Sequence, residues 1–182
     1  AVLRERIAFV GPKAAHTIGS YTLVIDAGGR YVTPGLLDAH MHVESGMLTV
    51  SQFTRAVVPH GTTGMFVDPH EIANVLGLRG VRLMLHEAAL QPVHIFVQVP
   101  SCVPSAPGLE SSGAELGPQE IAEALEWPGI IGLGEMMNYP GVSYCDSDVH
   151  AKLEATRKVN RVIGGHYPVA ELDLDFHGYV AG

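Results

Sequence analysis

Apolar runs and helical segments alternate along most of this chain. Five short runs are apolar almost throughout, and they cover residues 36–42, 62–68, 93–99, 130–135 and 161–166. Such runs are typical of parallel strands that are covered on both faces. Apolar spacing predicts helices over 48–60 and 78–90, and a proline in the first turn predicts one over 118–127. A capping residue, Asp146 or Ser147, predicts a helix that ends at 159, and a last helix is predicted over 172–181. Strands that alternate with helices indicate βαβ units and a parallel sheet. We therefore predict an α/β fold from residue 33 onward.

The first 32 residues follow a different pattern. Strand-like runs at 7–10 and 21–26 are separated by glycine and proline, and a turn signal follows at 26–29. We interpret this part as a few strands of a small, incomplete β domain. The predicted domains are therefore 1–32 and 33–182.

Composition excludes several classes of partner. The 182 residues are 47% hydrophobic and 16% charged, which is enough apolar surface for a substantial core. A net charge of -8 argues against nucleic acid and anionic membranes as partners. No apolar run reaches the roughly 20 residues that span a bilayer, and two separated cysteines, Cys102 and Cys145, suit a reducing cytoplasm. The chain lacks an initiator Met, so we expect it to begin partway through a longer protein.

Two histidines, His40 and His42, stand one residue apart at the end of the first predicted strand. Because strand side chains alternate between faces, Asp38, His40, His42 and Glu44 are expected on one face. Two imidazoles on one face can bind one metal ion. By itself the pair is equally consistent with ordinary polar residues on a half-buried strand.

Other predicted strands end in similar side chains. The second strand ends at Asp68, with His70 and Glu71 just beyond, and the fourth and fifth end in Glu135 and His166. In a (β/α)8 barrel, ligands and catalytic groups collect at the C-terminal ends of the strands. Histidines and a carboxylate together at that edge form a set of metal ligands. The competing interpretation is that Glu135 and His166 only cap the helices that follow.

Several longer motifs carry a family resemblance. They are Asp38-Ala-His-Met-His, Gly61-Thr-Thr, Asp68-Pro-His-Glu-Ile-Ala-Asn-Val, Pro100-Ser-Cys-Val-Pro, Gly132-Leu-Gly-Glu-Met-Met-Asn-Tyr-Pro-Gly and Gly165-His. In these segments the chain resembles the amidohydrolase superfamily and, more narrowly, its bacterial adenine deaminases. The resemblance implies a metal-dependent (β/α)8 TIM barrel. Residues 33–182 would supply about strands one to five, and residues 1–32 would supply part of a small β-sandwich.

The resemblance also implies a site for two divalent metal ions, manganese, iron or zinc. His40 and His42 would bind the first ion, Glu135 would bridge both, and His166 would bind the second. Glu71 would be catalytic, as a proton carrier or a purine ligand. The alternative is that it only stabilises the first turn of a short helix. The residues expected near the substrate are Glu44, Asp68, His70 and Asn138.

The activity implied is hydrolytic deamination of adenine to hypoxanthine and ammonia, as in purine salvage. The expected partners are a purine base and either a homo-oligomer or the remainder of a longer chain. A longer chain is expected because the family also uses a histidine from strand six and an aspartate from strand eight. Two alternatives stay open: hydrolysis of a cyclic amide or N-acyl substrate at a similar metal site, and a non-catalytic fragment or subunit.

Overall fold

The computed structural model describes residues 1–168 and 174–181, and the chain divides into two compact units after Pro34. In the first unit, β1 (Val2–Leu3) pairs antiparallel with β2 (Arg6–Ile7), and a 3-10 helix covers Ala14–Thr17. The strand predicted at 21–26 is wrong, and of 7–10 only Ile7 lies in a strand. Alternating apolar residues make a strand only where another strand accepts their backbone hydrogen bonds, and among the described residues none pairs with 21–26.

The second unit is built on a parallel sheet of five strands, which confirms the predicted α/β fold. The strands are β3 (Leu36–Met41), β4 (Thr62–Val67), β5 (His94–Val99), β6 (Ile130–Met136) and β7 (Val162–Gly165). They lie side by side in the order in which they occur along the chain, and every neighbouring pair is parallel. The sheet is a curled half-barrel. Because its five strands are all parallel, their C-terminal ends lie at one edge.

One or two helices follow each of these strands. They are α1 (Val50–Val57, continued by a 3-10 turn at Val58–His60), α2 (His70–Leu76), α3 (Leu78–Ala88), α4 (Pro118–Leu125), α5 (Tyr139–Ser143), α6 (Ser147–Lys158) and α7 (Leu174–Ala181). The side chain of Asp146 caps α6 by accepting from the amides of Asp148 and Val149. The predicted helix over 172–181 begins within the described residues at Leu174, and residues 172 and 173 lie outside them. Sequence patterns did not predict α5, which is a single short turn.

The core lies between the inner strands and the helices. Met65, Val67, Val97, Val99 and Leu133 of the sheet are fully buried. They belong to one cluster that also contains Val81, Ile121 and Leu125 from the helices. This packing covers the inner strands, whereas Leu36 and Leu37 of β3 and Val162 of β7 are exposed. Rigid packing beneath the strands fixes the positions of the side chains at their ends. Among the described helices, none is both long and apolar enough to cross a membrane.

Truncation of a core side chain should measure how strongly this packing stabilises the sheet. We expect Leu133→Ala, in the buried strand β6, to lower the free energy of unfolding by about 2–5 kcal/mol, because it leaves a cavity. Leu90→Ala is the matched control, since Leu90 is 81% exposed, and we expect it to change stability by less than about 0.5 kcal/mol. Chemical denaturation of both variants checks this; equal effects would show that Leu133 is not part of the core.

Candidate metal centre

Five side chains with nitrogen or oxygen ligand atoms meet at the C-terminal edge of the half-barrel. His40 lies near the end of β3 and His42 directly after it, His70 begins α2 after β4, Glu135 lies near the end of β6, and His166 follows β7. They come together because parallel strands present their C-terminal ends at the same edge. All four residues of the predicted metal-ligand set are in this group, and His70 joins them.

The carboxylate of Glu135 is the centre of the cluster. Its Oε2 lies 3.2 Å from Nε2 of His40 and contacts Nε2 of His166. Its Oε1 lies 3.3 Å from Nε2 of His42 and 2.9 Å from Nδ1 of His70. Each oxygen therefore faces two imidazoles, and such a mixed set of imidazole and carboxylate donors suits metal ions.

The pair of histidines that begins the site is also close in space. The Nε2 atoms of His40 and His42 are 3.0 Å apart. The Nδ1 atom of His42 lies 2.7 Å from the carbonyl oxygen of Asp68. A carbonyl only accepts hydrogen bonds, so Nδ1 carries the proton and Nε2 keeps its lone pair free for a metal. The backbone of β4 therefore sets the tautomer of a ligand on β3.

Several buried polar atoms at this site lack a hydrogen bond. Six buried side-chain nitrogen or oxygen atoms are without a partner among the described residues, and four of them belong to Glu44, Asp68, His70 and Glu71. The Nδ1 atom of His70 is one of these although it is 2.9 Å from Glu135, so that contact lacks the geometry of a hydrogen bond. Buried polar atoms are normally satisfied. The unpaired Nδ1 of His70 beside the Glu135 carboxylate fits a metal ion as its missing partner.

Asp68 holds the backbone of Glu135 in place. The Asp68 side chain is fully buried, and its Oδ2 accepts a hydrogen bond of 2.7 Å from the amide of Glu135. Gly134 makes this approach possible, because a Cβ at that position would overlap Oδ2 and lie 2.7 Å from Cγ of Asp68. Burial raises the pKa of the Asp68 carboxyl to about 7, and the nearby Glu135 charge adds to that effect.

Glu71 and Glu44 form a second acidic group beside the imidazoles. The Ser45 hydroxyl donates a hydrogen bond to Glu71 Oε1, and Glu71 Oε2 lies 3.4 Å from Nδ1 of His42. Glu44 accepts a weak hydrogen bond of 3.4 Å from the amide of Ile72. The expectation that Glu44 continues the strand beside the histidines is wrong, because the chain turns into a 3-10 helix at Glu44–Gly46. This turn is nevertheless what carries Glu44 to the first turn of α2.

The residues of this site lie in a segment that matches a known protein family. Residues 31–175 match the amidohydrolase family, which covers most of the chain. The chain belongs to the amidohydrolase family. It is 62% identical over all 182 residues to adenine deaminase 3 of Rhizobium meliloti and 60% identical over the same length to an adenine deaminase of Mesorhizobium japonicum. An adenine deaminase of Clostridium botulinum is 50% identical over 181 residues. The predicted family is confirmed.

Coverage of the relatives is partial. All of this chain aligns with them, but it spans only 31% of the Rhizobium protein and 30% of the Mesorhizobium and Clostridium proteins. The amidohydrolase family is metal-dependent, and the groups that the described residues bring together agree with that. Within the described residues, three sets have ligand atoms that lie within 4.8 Å of one another: His40, Glu135 and His166; His42, Asp68 and His70; and His70, Cys102 and Glu135.

Electrostatics divide the carboxyl groups of this amidohydrolase into two kinds. Burial raises the pKa of Glu135, but the contact with His166 and the charges of His42 and His40 outweigh it, so the net shift is downward. Burial also raises the pKa of Glu71, but the hydrogen bond from Ser45 contributes to a net lowering. Burial raises the pKa of Glu44 to about 7. Glu135 and Glu71 are therefore anionic at neutral pH, whereas Asp68 and Glu44 keep their protons to higher pH than ordinary carboxyls do.

The pKa of the His42 imidazole is raised, as expected beside negatively charged groups. Burial lowers its pKa, but the hydrogen bond to the Asp68 carbonyl and the charges of Glu71 and Glu135 together raise it above the usual value. Protons therefore compete with metal ions for this histidine. Metal affinity at the site is expected to rise with pH, since a histidine binds metal only when neutral.

The structure gives several other residues near the site roles that the sequence patterns did not predict. Ser101, which follows β5, was not among the predicted site residues, yet its hydroxyl donates a hydrogen bond of 2.5 Å to the carbonyl of Glu135. Cys102 is buried near His70 and Glu135, and burial raises the pKa of its thiol to about 12, so the thiol stays protonated. The Asn138 side chain accepts from the amide of Gly141 and caps α5; a role in substrate binding stays a prediction.

The close approach of Asp68 to Gly134 can be tested by one added methyl group. We expect Gly134→Ala to displace the Asp68 carboxylate from the Glu135 amide and so to lower metal content and thermal stability together. Gly164→Ala on the neighbouring strand β7 is the matched control, because its Cβ would meet nothing closer than 3.4 Å. Metal analysis and thermal melting of both variants check this. Full metal content in Gly134→Ala would contradict it.

The raised pKa of Asp68 predicts a pH dependence of stability in the metal-free protein. A carboxyl whose pKa rises to about 7 on folding keeps its proton in the folded state above the ordinary value of 3.8. The folded state then binds more protons than the unfolded state between these two values, so stability falls as pH rises from about 4 to about 7. We expect the melting temperature of wild type to fall over this range relative to that of Asp68→Asn. A constant difference between the two would contradict the assignment.

Proposed function

We propose that the native protein is a metal-dependent hydrolase that deaminates adenine to hypoxanthine and ammonia. The observation that carries the proposal is the buried Glu135 carboxylate, each of whose oxygens faces two imidazoles at the C-terminal edge of the half-barrel. Curated relatives that are 50–62% identical over essentially the whole of this chain are adenine deaminases, which supports adenine as the substrate. A role in purine salvage is part of the same proposal.

Two divalent metal ions fit the donor set. His40, His42 and His166 would bind them together with Glu135 as the bridge, and His70 extends the predicted set because its Nδ1 faces the same carboxylate. Mixed imidazole and carboxylate ligands suit manganese, iron and zinc alike. When bound, such ions act as Lewis acids and make water a nucleophile near neutral pH.

Glu71 is the residue best placed to move protons. Its pKa is lowered, so it is ionised at neutral pH, and Ser45 orients its carboxylate. In the proposed reaction, Glu71 accepts a proton from the water that attacks C6 of adenine and delivers it to the exocyclic amine. The C–N bond then breaks and ammonia leaves, so adenine and water become hypoxanthine and ammonia. Glu44, whose pKa is about 7, can exchange that proton with Glu71 at neutral pH.

The remainder of the fold is part of the same proposal. This chain spans about 30% of its relatives, so we propose that the native protein supplies the remaining strands of a (β/α)8 barrel and the further metal ligands that the family uses. The β1–β2 hairpin in the first unit fits a share in a small β-sandwich, with the domain boundary predicted after residue 32. The cytoplasm and a homo-oligomeric state stay predictions.

Substrate choice is tested by ammonia release. The native full-length protein, loaded with Mn²⁺, would be assayed with adenine, with other aminopurines and with cyclic and N-acyl amides. We expect adenine to have the highest kcat/KM. Faster hydrolysis of a cyclic or N-acyl amide would favour the alternative amidohydrolase activity. Bound metal without turnover of any of these compounds would favour a non-catalytic role.

Removal of the negative charge of Glu71 tests its role in proton transfer. We expect Glu71→Gln to lower kcat by about 10²–10⁴-fold, the usual contribution of a positioned acid or base, while bound metal is retained. Glu126→Gln is the control, because Glu126 is exposed at the end of α4, and its kcat should equal that of wild type. Steady-state kinetics and metal analysis check this. A kcat within threefold of wild type in Glu71→Gln would remove Glu71 from the mechanism.

A further inference from the structure

The backbone of Glu135 is held by side chains on both sides. Pairing of β6 with β5 ends at Leu133, and the pairing with β7 is irregular between Leu133 and Met136. The amide of Glu135 instead donates to Asp68 Oδ2 at 2.7 Å, and its carbonyl accepts from the Ser101 hydroxyl at 2.5 Å. The position of the carboxylate therefore depends on where Asp68 and Ser101 are held.

Ser101 is in turn held by a buried lysine. The Nζ atom of Lys152, on α6, donates to the carbonyl of Ser101 at 3.3 Å and pairs with Asp148 Oδ2 at 3.0 Å. Lys152 is only 8% exposed and Ser101 only 4%. An ammonium group is costly to bury unless it is paired and hydrogen-bonded. Lys152 has both partners, and they connect α6 to the end of β5, 51 residues away in the sequence.

Space beside this connection would let it relax. A cavity of about 220 Å³ is lined by Ser101, Cys102, Met136, Asp148 and Lys152, among others. Without the ammonium group, the segment that carries Ser101 can shift into that cavity, because packing does not hold it on this side. Any shift of Ser101 moves the carbonyl of Glu135, and the carboxylate moves with the backbone.

We propose that Lys152 is a positioning residue of the metal centre, acting on Glu135 through Ser101. It touches neither the substrate nor the metal ligands, so it is not itself catalytic. The inference rests on the proposed function only in that Glu135 bridges two metal ions. Its role is to fix the distance between the two oxygens of Glu135 and the imidazoles on the other strands.

The test uses the native full-length protein with Mn²⁺ as the probe. Lys152→Met keeps the length of the side chain and removes the ammonium group. We expect Mn²⁺ affinity to fall by about 10- to 100-fold, the usual effect of removing an outer partner of a metal ligand. We also expect the electron paramagnetic resonance signal of the coupled Mn²⁺ pair to change, because the bridge moves. Lys152→Arg keeps a charged donor and should restore most of both properties.

Lys158→Met is the matched control on the same helix. Lys158 forms an ion pair with Glu154 at 3.1 Å, also at i and i+4, but its side chain is 69% exposed. We expect its Mn²⁺ affinity and its spectrum to equal those of wild type. Wild-type affinity and spectrum in Lys152→Met would overturn the proposal, as would an equal loss in Lys158→Met.

A second variant keeps the test decisive if Lys152→Met does not fold. Ser101→Ala removes only the hydroxyl that contacts Glu135, and we expect the same spectral change. A wild-type spectrum in Ser101→Ala would overturn the proposal. The readouts are binding and spectroscopy, so they separate this inference from the proposed activity. A wild type that binds the Mn²⁺ pair but does not deaminate adenine would overturn the activity and leave the comparison of variants intact.

Discussion

A buried carboxylate surrounded by imidazoles is the interaction on which this molecule depends. Glu135 is almost fully buried, and a buried anion without partners costs several kcal/mol. Four imidazoles from three other segments of the chain offset that cost, and each of these segments has to pass the same edge of the sheet. Parallel strand order meets that requirement, since it places every C-terminal end on one side. The fold and the site are therefore two consequences of one arrangement.

Accurate placement of that carboxylate requires more than the sheet ladder. Regular pairing does not reach the backbone of Glu135, so two side chains, Asp68 and Ser101, replace it. Asp68 can approach the amide of Glu135 only because the residue before Glu135 is a glycine, Gly134. Loss of such an outer contact typically lowers metal affinity by about 10- to 100-fold. The site thus extends from the strand ends to the first turns of the helices around it.

Sequence patterns predicted the parallel α/β fold and predicted that the four candidate metal ligands meet at one edge, because strand periodicity and parallel order determine where strand ends meet. They could not show that the Nδ1 atom of His70 faces Glu135, since that depends on how α2 begins. Nor could they distinguish Asp68 as an anchor of the backbone from Asp68 as a substrate ligand, because both roles need a carboxyl at the strand end. Residues 21–26 show the opposite failure: a strand-like run without a neighbouring strand among the described residues.

Opposite pKa shifts among neighbouring carboxyls argue for a division of roles. Glu71 is held anionic by Ser45, whereas burial brings Glu44, its neighbour, to a pKa of about 7. Titratable groups whose environments separate their pKa values are the usual sign of an assigned base and an assigned acid. Each of the two carboxyls has one oxygen without a hydrogen bond. The lowered pKa of Glu71 and its position beside His42 are therefore what support its proposed role as the base. Glu44 is bonded to the backbone of α2 and is better suited to hold a proton than to remove one.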